Sequence, residues 1–341
     1  MSGDLDNSIT VVVAADQSGL RLDHLLSEVG TMSRSQAQKL IKAGGVVLNG
    51  QVCRPKDQVA EGDEVRYARE GGAEPKFEAK FLPLNIVYED DDLMVINKDA
   101  GVVVHPGAGT GGQVTLAEGV AYYLQSSGKQ LPGGDALRPG IVHRLDKDTS
   151  GAMLIAKSTK ALNSLAQQFK DKTNLREYLA LLNGKMSQDL AEVETYLHRD
   201  PRHRTRYASI SLEDFEALEE AQKKGYKYAK STFYHRTSFA NGVSLVQVRL
   251  STGRTHQIRV HSKVLKLPII GDDTYGQPVQ LASDFPAKAK KALQGVNRQM
   301  LHAKKLGFTH PTTGEKLGFE VPLPEDFRQV LEVLSQETGK E

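Results

Sequence analysis

The chain has 341 residues, and 44 Lys and Arg stand against 42 Asp and Glu for a formal charge of +2. A surface for a polyanion must therefore be a local patch rather than a global field. Cys53 stands alone, which excludes an internal disulfide and a cysteine metal cluster, and the histidines lack zinc-site spacing, so no metal is expected. No apolar run is long enough to span a bilayer, and residues 1–10 lack a signal pattern, so a cytoplasmic protein of two domains is expected.

A small module is predicted over 11–67. Leu22, Leu25, Leu26 and Val29 make a helical stripe. Ser33 and Gln36 form a capping-box pattern before a second helix that buries Ala37, Leu40 and Ile41 and ends at Gly44-Gly45. Arg34, Gln38 and Lys42 fall on another face of it, one turn apart. Asn49-Gly50 predicts a type I′ hairpin, and Gly62 to Tyr67 adds a strand. Residues 68–80, with Gly71-Gly72 and Pro75, read as a flexible linker.

A larger domain is predicted over 81–324. Ile86 to Tyr88 and Leu93 to Ile96 read as a hairpin, and Lys98 to Gln113 as a Gly-rich loop. Helices are expected from Thr115 to Gln125 and from Thr159 to Lys172, the second burying Leu162, Leu165, Ala166 and Phe169. Between them, Gly140 to Lys157 reads as a strand, a polar turn and a second strand buried on both faces. A strand through Tyr178 leads to a hairpin turn at Asn183-Gly184. Asn241-Gly242 opens a strand from Val243 to Leu250, and Thr255 is a suitable N-cap for a following helix. Phe327, Val330, Leu331 and Leu334 give a helical tail over 325–341. Together these elements predict an α+β protein with a mixed, mostly antiparallel sheet and flanking helices.

The polar turn carries Asp146. Read alone, Asp146, Thr149 and Ser150 fit a turn cap as well as a reactive carboxylate held between rigid strands. The surrounding string settles the choice by resemblance. His143-Arg144-Leu145-Asp146-Lys147-Asp148-Thr149-Ser150-Gly151 resembles the signature of the RluA-type pseudouridine synthases. Asp92 to Lys98 with His105-Pro106-Gly107, Arg176-Glu177-Tyr178-Leu179-Ala180, Thr252 to His261, and Arg298 to Ala303 resemble further motifs of that family, in family order. Arg21-Leu22-Asp23, Ser33-Arg34-Ser35 and Val47 to Gly50 resemble the S4 RNA-binding domain. The N-terminal module and the His105 to Gly109 string are most similar to the group acting on large-subunit ribosomal RNA, synthase D.

This resemblance implies an isomerase that turns uridine into pseudouridine in RNA, most plausibly large-subunit (23S) ribosomal RNA or a pre-ribosomal particle, with no cofactor. It implies that Asp146 is the catalytic nucleophile or base, acting at C1′, at C6 or on a sugar proton. It further implies that Arg259 pairs with Asp146 and that Tyr178 stacks on the target base. His143, Arg144, Arg254 and His256 are expected at the RNA, with Arg144 filling the space left by the displaced nucleotide. Arg34, Lys39 and Lys42 of the S4-like module are candidate phosphate contacts. So are Arg202 and Arg204, in a stretch with four Arg in the ten residues from Leu197 to Arg206. Ser211 to Gly225 reads as an inserted, capped acidic helix with Phe215 and Leu218 inward. A monomer is expected. Competing readings are a synthase for other ribosomal positions or transfer RNA, a non-catalytic S4-type ribosome-assembly factor, and a hydrolase or lyase with a catalytic Asp. The lack of a second placed carboxylate counts against the last.

Overall fold

The structure is a computed structural model that describes residues 8–29, 32, 34–68, 78–106, 112–133, 138–203, 205–240, 242–279, 281, 283 and 285–338, without the side chains of 35, 36, 39 and 68. The chain divides into two compact units between Phe77 and Glu78. Among the described residues no helix is long and apolar enough to cross a membrane.

The first unit contains β1 (Ser8–Val12), α1 (Leu22–Val29), α2 (Arg34–Lys42), β2 (Val46–Leu48), β3 (Gln51–Val52) and β4 (Glu64–Ala68). Its antiparallel sheet has the order β1-β4-β2-β3, so the unit starts one strand earlier than the pattern suggested. Leu22, Leu25, Leu26, Ala37 and Ile41 are buried together under this sheet. Asn49 and Gly50 have φ of 50° and 76°, both positive, as the type I′ hairpin requires. Ser33 and the Gln36 side chain of the expected capping box lie outside the described residues, as do the side chain of Lys39 and residues 69–77 of the expected linker. Lys80, placed in that linker by its composition, already belongs to the second unit, where its amide donates to the Glu118 carbonyl at 3.2 Å.

Arg34 has a different role from the one expected. Asp23 is fully buried, and Arg21, Arg34 and Gln38 converge on its carboxylate. Arg34 thus braces the α1–α2 junction and has only its remaining surface for another partner. Lys42 stays exposed. Burial alone would raise the Asp23 carboxyl, but the hydrogen bonds from Arg21, Gln38 and Arg34 hold it down at about 2, from 3.8.

The second unit contains β5 (Ile86–Glu89), β6 (Leu93–Lys98), α3 (Leu116–Ser126), β7 (Ser150–Ala156), α4 (Thr159–Asp171), β8 (Leu175–Asn183), β9 (Leu190–Arg199), β10 (Tyr207–Ile210), α5 (Leu212–Glu216), β11 (Lys227–Phe239), β12 (Val243–Leu250), α6 (Gln257–Val264), α7 (Ala287–Gln294), β13 (Leu301–Thr309), β14 (Lys316–Glu320) and α8 (Glu325–Thr338). Its sheet has the order β10-β9-β11-β12-β8-β13-β7-β6-β5, with β14 on β13. Only β13 and β7 run parallel; every other pair is antiparallel. Met94, Ile96, Met153 and Ile155 face one core with α3 and α8, while Leu93, Val95, Leu154 and Ala156 face another with α4. That is why β7 reads as a continuous apolar run.

Four local expectations change. Asn183-Gly184 does not close a hairpin, because β12 and β13 occupy both edges of β8, and β9 pairs instead with β10 and β11. Ala166 is exposed on α4. The C-terminal helix is no appendage: Phe327 and Leu334 are fully buried, and Asp326 takes a two-pronged bond from Arg298 at 2.6 and 2.7 Å. The acidic insertion forms only the five-residue α5, capped by Ser211, with Phe215 stacked on Tyr196 at 3.6 Å. Asn241 lies outside the described residues.

Asp23→Ala should cost the first unit about 2 kcal/mol, since a depression of roughly two pKa units is worth about that much. Amide exchange of α1 and α2 in the full chain should then be about thirtyfold faster. Because the folded carboxyl is depressed, this stabilisation is present above pH about 4 and is lost as the pH falls towards 2. Unchanged exchange at pH 7 would show that the buried carboxylate is not what holds α1 to α2.

Candidate active site

The Gly140 to Lys157 stretch begins with less strand than expected. Ile141 makes a single bridge to Ile155, and regular structure resumes only at Ser150. The turn between is fastened from several sides. Lys98 on β6 is buried and donates to the carbonyls of Asp99, Val102 and Lys147 at 2.8 to 2.9 Å. Burial pushes this ammonium down to about 7, against the pull of Asp148 and Asp146. Arg298 donates to the Asp148 carbonyl at 3.1 Å, and Gln299 to the Thr149 hydroxyl at 3.2 Å. Gly151 follows at φ 122°, where a side chain would lie 2.3 Å from the Ala303 carbonyl, so β7 can approach β13 only with glycine there. Leu145 packs into the core, and Asp146 next to it lines a cleft of about 470 Å³.

The opposite wall comes from the corner after β12. The helix α6 starts at Gln257, with His256 at its N-terminus in a left-handed conformation, so Thr255 is not the cap. The Gln257 carboxamide does that work. Its Oε1 accepts from the Thr252 hydroxyl and the Arg254 amide, and its Nε2 donates to the Lys230 carbonyl. Arg259 then projects from the first turns of α6. Its Nη1 donates to Asp146 Oδ2 at 3.1 Å. Its Nε and Nη2 grip Asp272 at 2.7 and 2.9 Å. Asp272 also accepts the Thr274 and Tyr275 amides. Burial opposes the Arg259 charge, but Asp272 and then Asp146 outweigh it, and the guanidinium is held above its usual range.

Tyr275 lies under Arg259, with the guanidinium carbon 5.1 Å from the ring centre. Its hydroxyl accepts the Tyr207 amide and meets His256 Nδ1 at 2.8 Å. Burial pushes that hydroxyl up to about 12, so it stays protonated. The His256 Nε2 faces Asp146 at 3.9 Å. Burial lowers the His256 ring despite Asp146, which keeps it neutral.

Tyr178 on β8 lines the same cleft and is 8% exposed. Burial, with Asp146 adding to it and Arg176 opposing, pushes its hydroxyl up to about 12. Arg144 reaches the cleft and meets His105 Nε2 at 3.0 Å, and the Arg254 Nε donates to the Tyr228 carbonyl. Arg144 and Asp146 share the cleft without sharing a strand, since the turn between them has no strand geometry. His143 also lines the cleft, but its Nε2 is engaged by the Leu154 amide at 2.9 Å and its ring stacks on Phe169. Burial, with Arg176 adding to it, lowers this histidine to about 3, so the ring is neutral. Arg202 sits on an exposed loop closed by Asp200, and Arg204 lies outside the described residues.

Asp272, Tyr275 and the fastening role of Lys98 escaped the sequence reading. Asp272 stands thirteen residues after Arg259, beyond any helical spacing. The one visible signal was an acidic pair between two glycines, Gly271-Asp272-Asp273-Thr274-Tyr275-Gly276.

One carboxylate, pinned by a shared arginine in a cleft lined by cations, on a mixed sheet with flanking helices, is a site for an enzyme acting on a polyanionic substrate. Comparison with known proteins agrees. Residues 92–263 match the RNA pseudouridylate synthase family and residues 20–65 match the S4 domain. The ribosomal large subunit pseudouridine synthase D of Neisseria meningitidis serogroup A is 38% identical over 99% of this chain and 85% of its own. The protein of the same name from Vibrio parahaemolyticus is 36% identical over 97% of this chain and 95% of its own. The structure of human RNA pseudouridylate synthase domain containing 1 is 26% identical, covers 71% of this chain and 84% of its own, and superposes with a TM-score of 0.51. The chain belongs to the RNA pseudouridylate synthase family and is an isomerase that makes pseudouridine from uridine in RNA.

Asp272→Asn removes the charge that clamps Arg259 while keeping its shape. Turnover should fall about a hundredfold, the cost of a roughly 1 Å misplacement, with KM within about threefold of the parent because substrate contacts are kept. Steady-state kinetics on the folded variant check this. A raised KM with turnover unchanged would mean that Asp272 acts on binding instead.

Proposed function

We propose that this synthase acts on uridines of large-subunit ribosomal RNA, with Asp146 as its catalytic carboxylate. The observation that carries the reading of the site is that Asp146 is the one acid among the residues lining the cleft, against Arg144, Lys170, Lys172, Arg176, Arg254 and Arg259. Hydrolysis of a glycosidic bond by the usual route needs two carboxylates about 5 to 9 Å apart. A single one suits an isomerisation, in which no water is added. The N1–C1′ bond breaks, the uracil turns, C5 bonds to C1′, and the proton leaving C5 is matched by one gained at N1.

The target base must leave its stack to reach a cleft of this depth. Arg259 keeps Asp146 paired with a cation when RNA displaces water. Asp146 then reacts as nucleophile or base at the ribose, at C6 or on a sugar proton. The Tyr178 ring forms a wall for the base, and its protonated hydroxyl offers a hydrogen bond. Arg144, which lines the same cleft, would occupy the space that the base vacates. The ribosomal target is supported by the names of the relatives and by the S4 match, and it places the action in the cytoplasm. The S4 unit would hold one part of the RNA and raise the effective concentration of another at the cleft.

Mapping pseudouridine in all ribosomal and transfer RNA of cells lacking the gene tests the target. Loss confined to large-subunit RNA is expected. Loss confined to transfer RNA or small-subunit RNA would overturn the ribosomal assignment. Restoring the gene as Asp146→Asn should leave the modification absent, a loss of at least about 10⁴-fold, while the purified variant still binds RNA. Pseudouridine made by that variant would remove Asp146 from the mechanism.

A further inference from the structure

Three arginines are buried among the described residues, Arg176, Arg259 and Arg298. Arg259 is held by Asp146 and Asp272, and Arg298 by Asp326. Among the described residues no carboxylate lies within ion-pair reach of Arg176. Its Nε is buried and donates no hydrogen bond. Burial works against its charge, Tyr178 offsets part of that cost, and the neighbouring cation Arg254 adds to it. Its guanidinium rests 5.6 Å from the centre of the Phe169 ring, a contact that holds its plane without neutralising it.

The surroundings make room for this charge. A Cβ on Gly253 would stand 2.2 Å from Arg176 Nη1, so the glycine of the Thr252-Gly253-Arg254 corner leaves the space that the guanidinium fills. Arg176 and Arg254 both line the cleft, with Lys170 and Lys172 from the end of α4 close by. Arg176 precedes Tyr178 by two residues on β8 and is buried in alternation with it, so it shares that face. It therefore sits about 7 Å along the strand from the tyrosine.

We infer that Arg176 and Arg254 form a subsite for a backbone phosphate of the RNA strand beside the displaced uridine. An unpaired buried guanidinium is costly unless a ligand supplies the missing anion. The planar fork of arginine fits two phosphate oxygens at once. A uracil carbonyl carries no charge and would leave a wall of four cations uncompensated. The inference rests on the cleft being the catalytic site and adds to it the anchor that sets the strand's register. Arg176 is a binding residue that fixes where the strand lies, and the chemistry stays with Asp146.

Binding of a large-subunit ribosomal RNA transcript is measured against salt for the full chain, alongside pseudouridine formation. Arg176→Gln should lower the slope of log affinity against log salt by about 0.7 to 0.9, the share of one phosphate. KM should rise about tenfold while kcat changes less than threefold. Arg176→Lys, which keeps the charge, should recover most of the slope. Gly253→Ala leaves the arginine in the chain but pushes its guanidinium aside, and should reproduce the loss; it decides the matter if Arg176→Gln fails to fold. A neutral methylphosphonate at the linkage next to the modified uridine should weaken the parent protein about tenfold and leave Arg176→Gln indifferent. Folded Arg176→Gln and Gly253→Ala proteins with the parent's salt slope and methylphosphonate response would overturn the phosphate subsite. Activity in Asp146→Asn would instead overturn the catalytic reading, and the salt slopes would still report on Arg176.

Discussion

The guanidinium of Arg259, shared between Asp146 and Asp272, is the interaction on which this site depends. A buried arginine with one carboxylate could swing with it. Held side-on by Asp272, it presents a single nitrogen to Asp146 and has little freedom left. Asp272 is itself anchored by the backbone amides of Thr274 and Tyr275. The direction of Asp146 is therefore set by a chain of charge-assisted bonds that ends in main chain. Preorganisation of this kind is what lets a lone carboxylate react without first reorganising its surroundings.

The sheet supplies the other half of that rigidity. The turn bearing Asp146 leads into β7, which is buried on both faces and pressed against β13 through Gly151. The neighbouring contacts come from far apart in the chain: Lys98 from β6, Arg298 and Gln299 from the approach to β13, and α8 through Asp326. Because α8 grips Arg298 and Arg298 grips the turn, the last helix of the chain takes part in placing the carboxylate. The same economy explains the cations of the cleft. Arginines that shape the protein are given acids, and Arg176, which faces the substrate, is left without one.

Much of this was legible in the residues. The apolar stripe of Leu22, Leu25 and Leu26, the Asn49-Gly50 turn, the helix expected from Thr115 to Gln125 and the doubly buried run from Met153 to Ala156 all formed as read. Each is a local pattern, and local patterns survive folding when tertiary contacts agree with them. The failures were of one kind. Asn183-Gly184 has hairpin chemistry, but the edges of β8 were claimed by strands some sixty and more than a hundred residues later. Arg34 looked free on its helix face, but it folds back onto Asp23. Thr255 looked like a cap, but α6 starts one residue later, behind His256, and Gln257 reaches back from the helix to the Arg254 amide.

By itself the amino-acid sequence determined the two modules, the α+β class, the candidate carboxylate and, through its motifs, the family, because those properties are written in short runs whose spacing follows the period of a helix or a strand. Beyond the Asp146–Arg259 pair that the motifs implied, only the tertiary structure decided which charges meet. Electrostatic pairing depends on distance through space, and Arg259 comes within about 3 Å of both Asp146 and Asp272 only after β7, α6 and the loop beyond it are packed on one sheet.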